Sequence, residues 1–347
     1  MRRVVRRIAL VPVLGLIAGA FHPVVAQNPN VSVTGVVYTQ FLYQLKKDSV
    51  TDAHLNSFDA TRAYINVNGS MPAGIKGRVT ADIYRTSDGS LTYRLKYAYV
   101  TYTPDSSHIT LKFGQMHTPW VDWEEALWDY RMQGTIALDR NKYLSSSDFG
   151  AGFDGSWGFE RVNVQAGVYN GENYNGGTGD GRKDVMARAS FRILETDMAG
   201  RVGGLRLTGY AQTGKPTGGG DRQRFIGMLS YRSKMVTLAG EFAATKDSNT
   251  SVSTPMVKGT VISGFGVLRI PSSRFALIGR VDLVDHNNDS AAKNDKLTRF
   301  IAGVSYTHSP NLRLLADIDN LSLEGGSTSN SFNSTRSQAL FQLEYKF

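Results

Sequence analysis

Residues Ala339–Phe347 read ALFQLEYKF, in which Ala339, Phe341, Leu343, Tyr345 and Phe347 are apolar or aromatic and Gln342, Glu344 and Lys346 between them are polar. A residue period of two is the mark of a β-strand with one apolar face. Chain ends fray unless something ties them down. A two-faced strand finishing on an aromatic ring therefore predicts a partner strand that holds it.

The same period runs through the chain upstream. Ile75, Gly77, Val79, Ala81 and Ile83 alternate with Lys76, Arg78, Thr80, Asp82 and Tyr84; Phe275, Leu277, Gly279, Val281 and Leu283 oppose Arg274, Arg280 and Asp282. Sixteen such segments are expected, at about 31–45, 58–70, 74–85, 91–103, 108–115, 147–157, 161–169 and 184–194. The rest fall at about 202–213, 222–233, 235–245, 256–269, 273–285, 297–307, 311–321 and 336–347. Links after even segments are mostly tight, such as MPA at 71–73, PDSS at 104–107 and GFE at 158–160. Those after odd segments are mostly longer and polar, as at 46–57, 170–183, 246–255, 286–296 and 322–335. Short turns on one side and long loops on the other, with an even strand number, define an all-β transmembrane antiparallel barrel of about 16 strands. The last strand must then pair with the first, because an open edge in lipid leaves backbone N–H and C=O groups unsatisfied. An aromatic terminus suits the membrane interface.

Composition agrees with this reading. The 347 residues carry a formal net charge of +9 and no cysteine, which leaves out disulfide scaffolds, thiolate metal sites and a lipoprotein anchor. Arg2, Arg3, Arg6 and Arg7 precede an apolar run at Ile8–Ala20, and small residues at Val24–Ala26 complete a secretory signal. Residues 1–26 are expected to be cleaved, leaving 27–347 as one barrel domain; the run is short of the ~20 apolar residues of a membrane helix. The remaining positive charge is spread along the chain, unlike a nucleic-acid stripe, so no nucleic-acid partner is expected.

The longest link, 116–146, follows the fifth segment. Thr118-Pro119 is a helix start, a capping hydroxyl followed by proline at the first helical position. At 100° per residue Trp120, Trp123, Leu127 and Tyr130 share one face, and Asp122, Glu125 and Asp129 the other. Two placements follow: a lid over neighbouring loops, or a constriction loop folded into the barrel, Trp face on the wall and carboxylates toward the pore. A barrel this wide encloses an aqueous channel and needs an inserted element to sieve solutes, which favours the second. The constriction set is then Trp120, Asp122, Trp123, Glu125, Asp129 and Arg131. The facing basic wall is Arg62, Lys76, Arg78, Lys112, Arg188, Arg192, Arg206, Arg232, Arg280 and Arg299, joined by Arg224 and Arg313. The fewer acids at the same parity are Asp82, Glu241, Asp282, Asp317 and Asp319. Charged rings of this kind select ions, although a wall arginine can equally pair with a neighbouring acid.

Several blocks resemble the phosphate-selective porin O and P family of bacterial outer-membrane porins: FDATRAYINVNG (58–69), YAYVTY (97–102), FGQMHTPW (113–120), GVYNGENY (167–174), DVMARASFRI (184–193) and the closing strand. The resemblance implies a sixteen-stranded barrel in the bacterial outer membrane, commonly trimeric, with a constriction loop after strand five. The terminal Phe347 resembles the signal read by the barrel-assembly machinery. One departure stands out: where the family commonly reads Gly-Gln-Phe-Lys-x-Pro, this chain has Met116, His117 and Thr118 before Pro119. Phosphate selectivity is therefore not carried over.

Zinc, nucleophile-elbow and phosphate-loop patterns are absent from the sequence, so neither an enzyme nor a cofactor is expected. The expected function is passive diffusion of small hydrophilic solutes, with a preference for small anions, phosphate among them, as a hypothesis that rests on the basic wall and not on the family resemblance. Two alternatives stay open: a non-conducting barrel for adhesion or scaffolding, and a sugar channel stacking its solute on Trp120, Trp123 and Trp128.

Overall fold

The computed structural model describes residues 30–46, 53–174, 176, 181–216, 220–248, 256–289, 295–324 and 336–347. The expected signal at 1–26 and parts of the long loops lie outside the described residues. Sixteen strands are present: β1 (Asn30–Gln44), β2 (Asn56–Ser70), β3 (Ile75–Arg85), β4 (Leu91–Tyr102), β5 (Ile109–His117) and β6 (Ser147–Trp157). They continue with β7 (Val162–Tyr169), β8 (Asp184–Leu194), β9 (Gly204–Gly214), β10 (Arg222–Arg232) and β11 (Val236–Asp247). The rest are β12 (Val257–Arg269), β13 (Phe275–Asp285), β14 (Lys296–Ser309), β15 (Leu312–Leu323) and β16 (Arg336–Lys346). Two helices, α1 (Pro119–Leu127) and α2 (Ala137–Arg140), interrupt the sequence between β5 and β6.

Each strand pairs antiparallel with its sequence neighbours, and β1 pairs with β16, so the sheet closes on itself. Every strand bound lies within two residues of the expected segment. The cause is the period: a one-residue slip would turn a strand's whole apolar set to the wrong face. Phe225, Leu229, Phe242 and Val281 stand exposed on the outer surface, while Arg224, Glu241, Arg280 and Asp282 point inward and are buried. The barrel is thus inverted relative to a soluble fold.

The seam explains the terminal aromatic residue. The backbone N–H of Phe347 donates to Gly35 O at 3.1 Å, and that of Gly35 donates to Phe347 O at 2.8 Å. The Phe347 ring lies over Gly35 so closely that a Cβ there would sit 2.2 Å from its Cζ. Only glycine on β1 leaves room for that ring.

Two register shifts matter for the interior. Between β3 and β4, Thr80 pairs with Tyr97 and Ala81 with Leu95, so Lys96 is a bulged residue without a partner. A bulge lets successive side chains face one way, and Lys96 and Tyr97 are both buried on the inner side. Between β1 and β2, Tyr38 pairs with Arg62 and Thr39 with Ala60, which bulges Thr61 beside Arg62.

Candidate constriction inside the barrel

The segment 118–146 leaves the sheet at a closed neck. Thr118 N–H donates to Ser146 O at 3.2 Å, and the Thr118 hydroxyl donates to Ser145 O. Proline at the first helical position has no N–H to leave unpaired, and the Thr118 side chain makes no cap of its own because Ser145 already takes it.

From the neck the segment crosses to inward-facing residues of β8 through β16. Trp123 lies under the guanidinium of Arg188, 4.0 Å from ring centroid to Cζ. Trp128 meets Phe265 edge-on at 5.3 Å, and Trp120 packs on Tyr210 at 5.8 Å. Further along, Tyr130 OH bonds Ser305 Oγ at 2.7 Å, and Gln342 Nε2 donates to Met132 O at 2.8 Å. On the return, Tyr143 OH bonds His286 Nδ1 at 2.9 Å. Trp120, Trp123, Leu127 and Trp128 are fully buried. Rings of this size contribute several kcal/mol each, about 3–5 kcal/mol on truncation to Ala, so the segment is a packed part of the interior.

The expected acidic face carries partners. Asp122 accepts from Arg201 Nη1 at 2.6 Å. Glu125 lies 3.0 Å from Arg131, and Asp129 sits 3.5 Å from Arg269, 3.5 Å from Arg313 and 3.9 Å from Arg232. Burial, the largest single effect, would push the Asp122 carboxyl up, but Arg201, His117 and Lys112 together outweigh it and hold the group well below the usual carboxylate range. Burial pushes Glu125 up, against the pull of Arg131 and Lys96.

The expected basic wall divides in two. Arg188, Arg206 and Arg280 are packed beneath the segment or against turn backbone, at 2 %, 0 % and 1 % exposure, and do not line open water. Arg192, Arg232 and Arg299 are likewise buried; Arg192 donates to Phe159 O at 2.9 Å, Arg232 to Ala126 O, and Arg299 to Asp319 at 3.0 Å. The physical reason is that parity places a side chain inside the barrel without telling which part of the inside the loop will cover. Arg62, Arg78 and Lys112 are half-buried, and Lys76 is exposed, on the opposite side made by β2, β3 and β5.

There Arg94 and Lys96, missed by sequence reasoning, join the expected Arg62 and Asp82. Asp82, fully buried, lies 2.9 Å from Arg62, 3.8 Å from Arg94 and 3.9 Å from Lys96. Lys96 Nζ also donates to Tyr64 OH at 2.6 Å, and Arg94 stacks over Tyr84 at 5.0 Å and Tyr174 at 4.6 Å. Three cations surround Asp82, and Glu125 on the loop acts on Arg62 and Lys96 as well. The β4 bulge is what brings Lys96 into the group, and a strict period of two gives no sign of it. Arg62 also borders a cavity of 430 Å³ between this wall and the loop, with Arg131, Arg140, Arg299 and Gln338 on its other sides. Among the described residues no group of His, Cys, Asp or Glu could hold a metal ion, and no helix is long and apolar enough to cross a membrane.

A closed sixteen-stranded cylinder with apolar side chains outside, charged side chains inside and a loop packed within it is an outer-membrane β-barrel of the porin class. The model of the phosphate-selective porin O and P family matches residues 36–251. The chain belongs to that family, whose members are channels and not enzymes. Solved structures agree on the fold. The anion-selective porin from Comamonas acidovorans is 12 % identical, with 92 % of this chain and 100 % of that chain covered and a TM-score of 0.67. Salmonella typhi OmpF is 14 % identical over 91 % of this chain and 97 % of its own, at a TM-score of 0.68. Vibrio cholerae OmpT is 14 % identical over 93 % and 99 %, at 0.64. A search of the curated proteins finds no match.

Proposed function

We propose that this porin passes small hydrophilic solutes by passive diffusion between the 118–146 segment and the β1–β5 wall, and that it prefers anions. The observation that carries the preference is the grouping of Arg62, Arg94 and Lys96 around the carboxylate of Asp82. A net positive surface on a narrow water-filled passage attracts anions and repels cations. The likeness to an anion-selective porin points the same way. The sugar-channel alternative finds no support at the tryptophans, because all three loop rings are buried against the wall and offer no face to a solute.

The reading extends to assembly and location. Residues 1–26 act as a cleaved signal, the outer apolar face meets outer-membrane lipid, the barrel-assembly machinery engages Phe347, and three copies form the working unit. Chemical cross-linking of the purified barrel tests the last point; a monomer alone refutes it.

Zero-current potentials across a planar bilayer in a low-salt gradient test the pore. Anion preference is expected, with phosphate and chloride run separately because Met116, His117 and Thr118 replace the family's basic segment. A clear cation preference defeats the charge argument, and no current at all returns the barrel to the adhesion or scaffolding reading.

A further inference from the structure

The outer face of the barrel carries a feature that a channel does not need. Across β8 to β11 a line of outward positions runs in register: Ala189 pairs with Gly209, Gly209 with Gly227, and Gly227 with Phe242. The small residues form the floor of an apolar groove of 770 Å³, with Val164, Phe191, Leu207 and Phe225 along its sides. Three inter-strand spacings make about 14 Å. That is close to half of the about 30 Å hydrocarbon core, the share of one leaflet.

The barrel itself does not call for the two glycines. Neither has a positive φ, the β9–β10 register has no shift, and a Cβ built on either would meet nothing within 4 Å. Glycine inside a strand weakens it. Where no bulge or bend explains it, it marks a place where a ligand or another backbone comes close.

A cation stands at one end of the groove. The GFE turn at 158–160 is one of the tight links, which face the periplasm in such a barrel. Arg161 follows it, is exposed, and holds its guanidinium 5.4 Å from the ring centroid of Phe191. Among the described residues that guanidinium has no hydrogen bond or ion pair. The neighbouring acids are engaged elsewhere: Glu160 Oε2 accepts from Asn163 Nδ2 at 3.0 Å, and Glu195 lies 2.7 Å from Arg192. The support is firm. Arg161 N–H donates to Gly158 O at 3.0 Å, and its C=O accepts from Arg192 N–H at 2.8 Å. The side chains of Arg192 and Arg206 donate to Phe159 O and Glu160 O and so fix the turn. An unpaired guanidinium beside an apolar groove suits a molecule with an anionic oxygen group at one end and hydrocarbon at the other.

We propose that this groove binds one phospholipid of the periplasmic leaflet, its phosphate on Arg161 and an acyl chain lying over Gly209 and Gly227. The planar guanidinium offers paired N–H donors to the phosphate oxygens. At the glycines the chain packs on bare backbone, closer than a lipid can approach over the flanking Phe and Leu side chains.

Native mass spectrometry of the full purified barrel tests this, with phosphatidylglycerol, a diacylglycerol of the same chains and inorganic phosphate added separately. One phosphatidylglycerol per chain should be retained, about tenfold more than diacylglycerol. Arg161→Gln should abolish that preference. Gly227→Leu fills the groove where the barrel has room, and should lower retention of both lipids by about tenfold; Gly209→Leu replaces it if that variant fails to fold. Gly240→Leu is the control, because Gly240 has equally open space but lies outside the groove, and it should bind as the wild type does. Equal retention by wild type and Gly227→Leu, an equal loss in Gly240→Leu, or no effect of Arg161→Gln overturns the site. Inorganic phosphate bound without any lipid preference reduces Arg161 to a free-phosphate contact, and overturns it too. Loss of an oligomer in Gly227→Leu assigns the groove to a second copy of the chain and overturns the lipid.

Discussion

Lys96→Met removes one charge from the Asp82 group while keeping the length of the stem beside Tyr64 and Tyr97. The group of Arg62, Arg94, Lys96 and Asp82 then falls from a net charge of two to one. An ion passing about 7 Å from the lost charge feels about 0.6 kcal/mol less in a water-like dielectric, and more where protein replaces water. That is a factor of about three in the occupancy of an anion and the inverse for a cation, so the anion-to-cation permeability ratio should fall about sevenfold. Asp82→Asn should raise the ratio, because it removes the only negative charge of the group. The assay is the reversal potential of single channels at about 0.01–0.1 M salt, where the Debye length of about 30–10 Å spans the passage. At about 1 M salt, with a screening length of about 3 Å, both shifts should shrink toward nothing. Shifts of the same sign in the two variants, or shifts that survive high salt undiminished, refute the idea that this group sets selectivity.

Trp123→Ala takes away the ring under Arg188 and should loosen the loop by about 3–5 kcal/mol, seen as noisier single-channel current with an unchanged strand content by circular dichroism. Gly35→Val drives a side chain into the Phe347 ring, so the seam should fail to close and the folded, heat-modifiable band on a detergent gel should be lost. The Asp122–Arg201 pair gives the loop a dependence on acid pH. Arg201 holds Asp122 low, so its contribution is present above about pH 4, the range of a free carboxyl, and is lost as pH falls further. Arg201→Ala should therefore remove an acid-side loosening of the loop, followed by the emission of the buried Trp120, Trp123 and Trp128.

The cylinder was legible because its rule is local. Parity along Phe275–Asp285 or Ile75–Arg85 follows from neighbours two residues apart, and closure follows from the absence of any solvent for an open edge. The loop was legible in outline too, since Thr118-Pro119 and the tryptophan spacing specify a helix wherever it lies. What the sequence hid depends on non-local geometry. Lys96 reaches the lumen beside Tyr97 only because a bulge breaks the period, and a bulge is a matter of pairing with β3. Arg94 followed the ordinary parity and was still passed over, because its meaning lies in Asp82 on the next strand. Glu124 stands among the acids of α1 but faces the wall, whereas a nine-residue helix on its own gives no reason to set it apart from Glu125.

The burial of half the wall's cations also says something about how such a barrel is made. Alternation obliges every second residue to face inward and be wettable, yet the loop dries out the side formed by β8 to β15. Polar side chains there face protein and not water. Arginine meets that demand in a way lysine does not, because its flat guanidinium can lie on an aromatic face and still direct N–H groups sideways. Arg188 does so on Trp123 while donating to Asn163, and Arg280 does so beside Trp128 while donating to Asp282. Lys96 and Lys112 belong instead to β4 and β5, and Lys96 acts on Glu125 of α1 from the facing wall. Arginine serves on both sides, with Arg62, Arg78 and Arg94 on the opposite wall; what marks the packed half is that Arg188, Arg206 and Arg280 are almost fully buried there, whereas Arg62, Arg78 and Lys112 are half-buried.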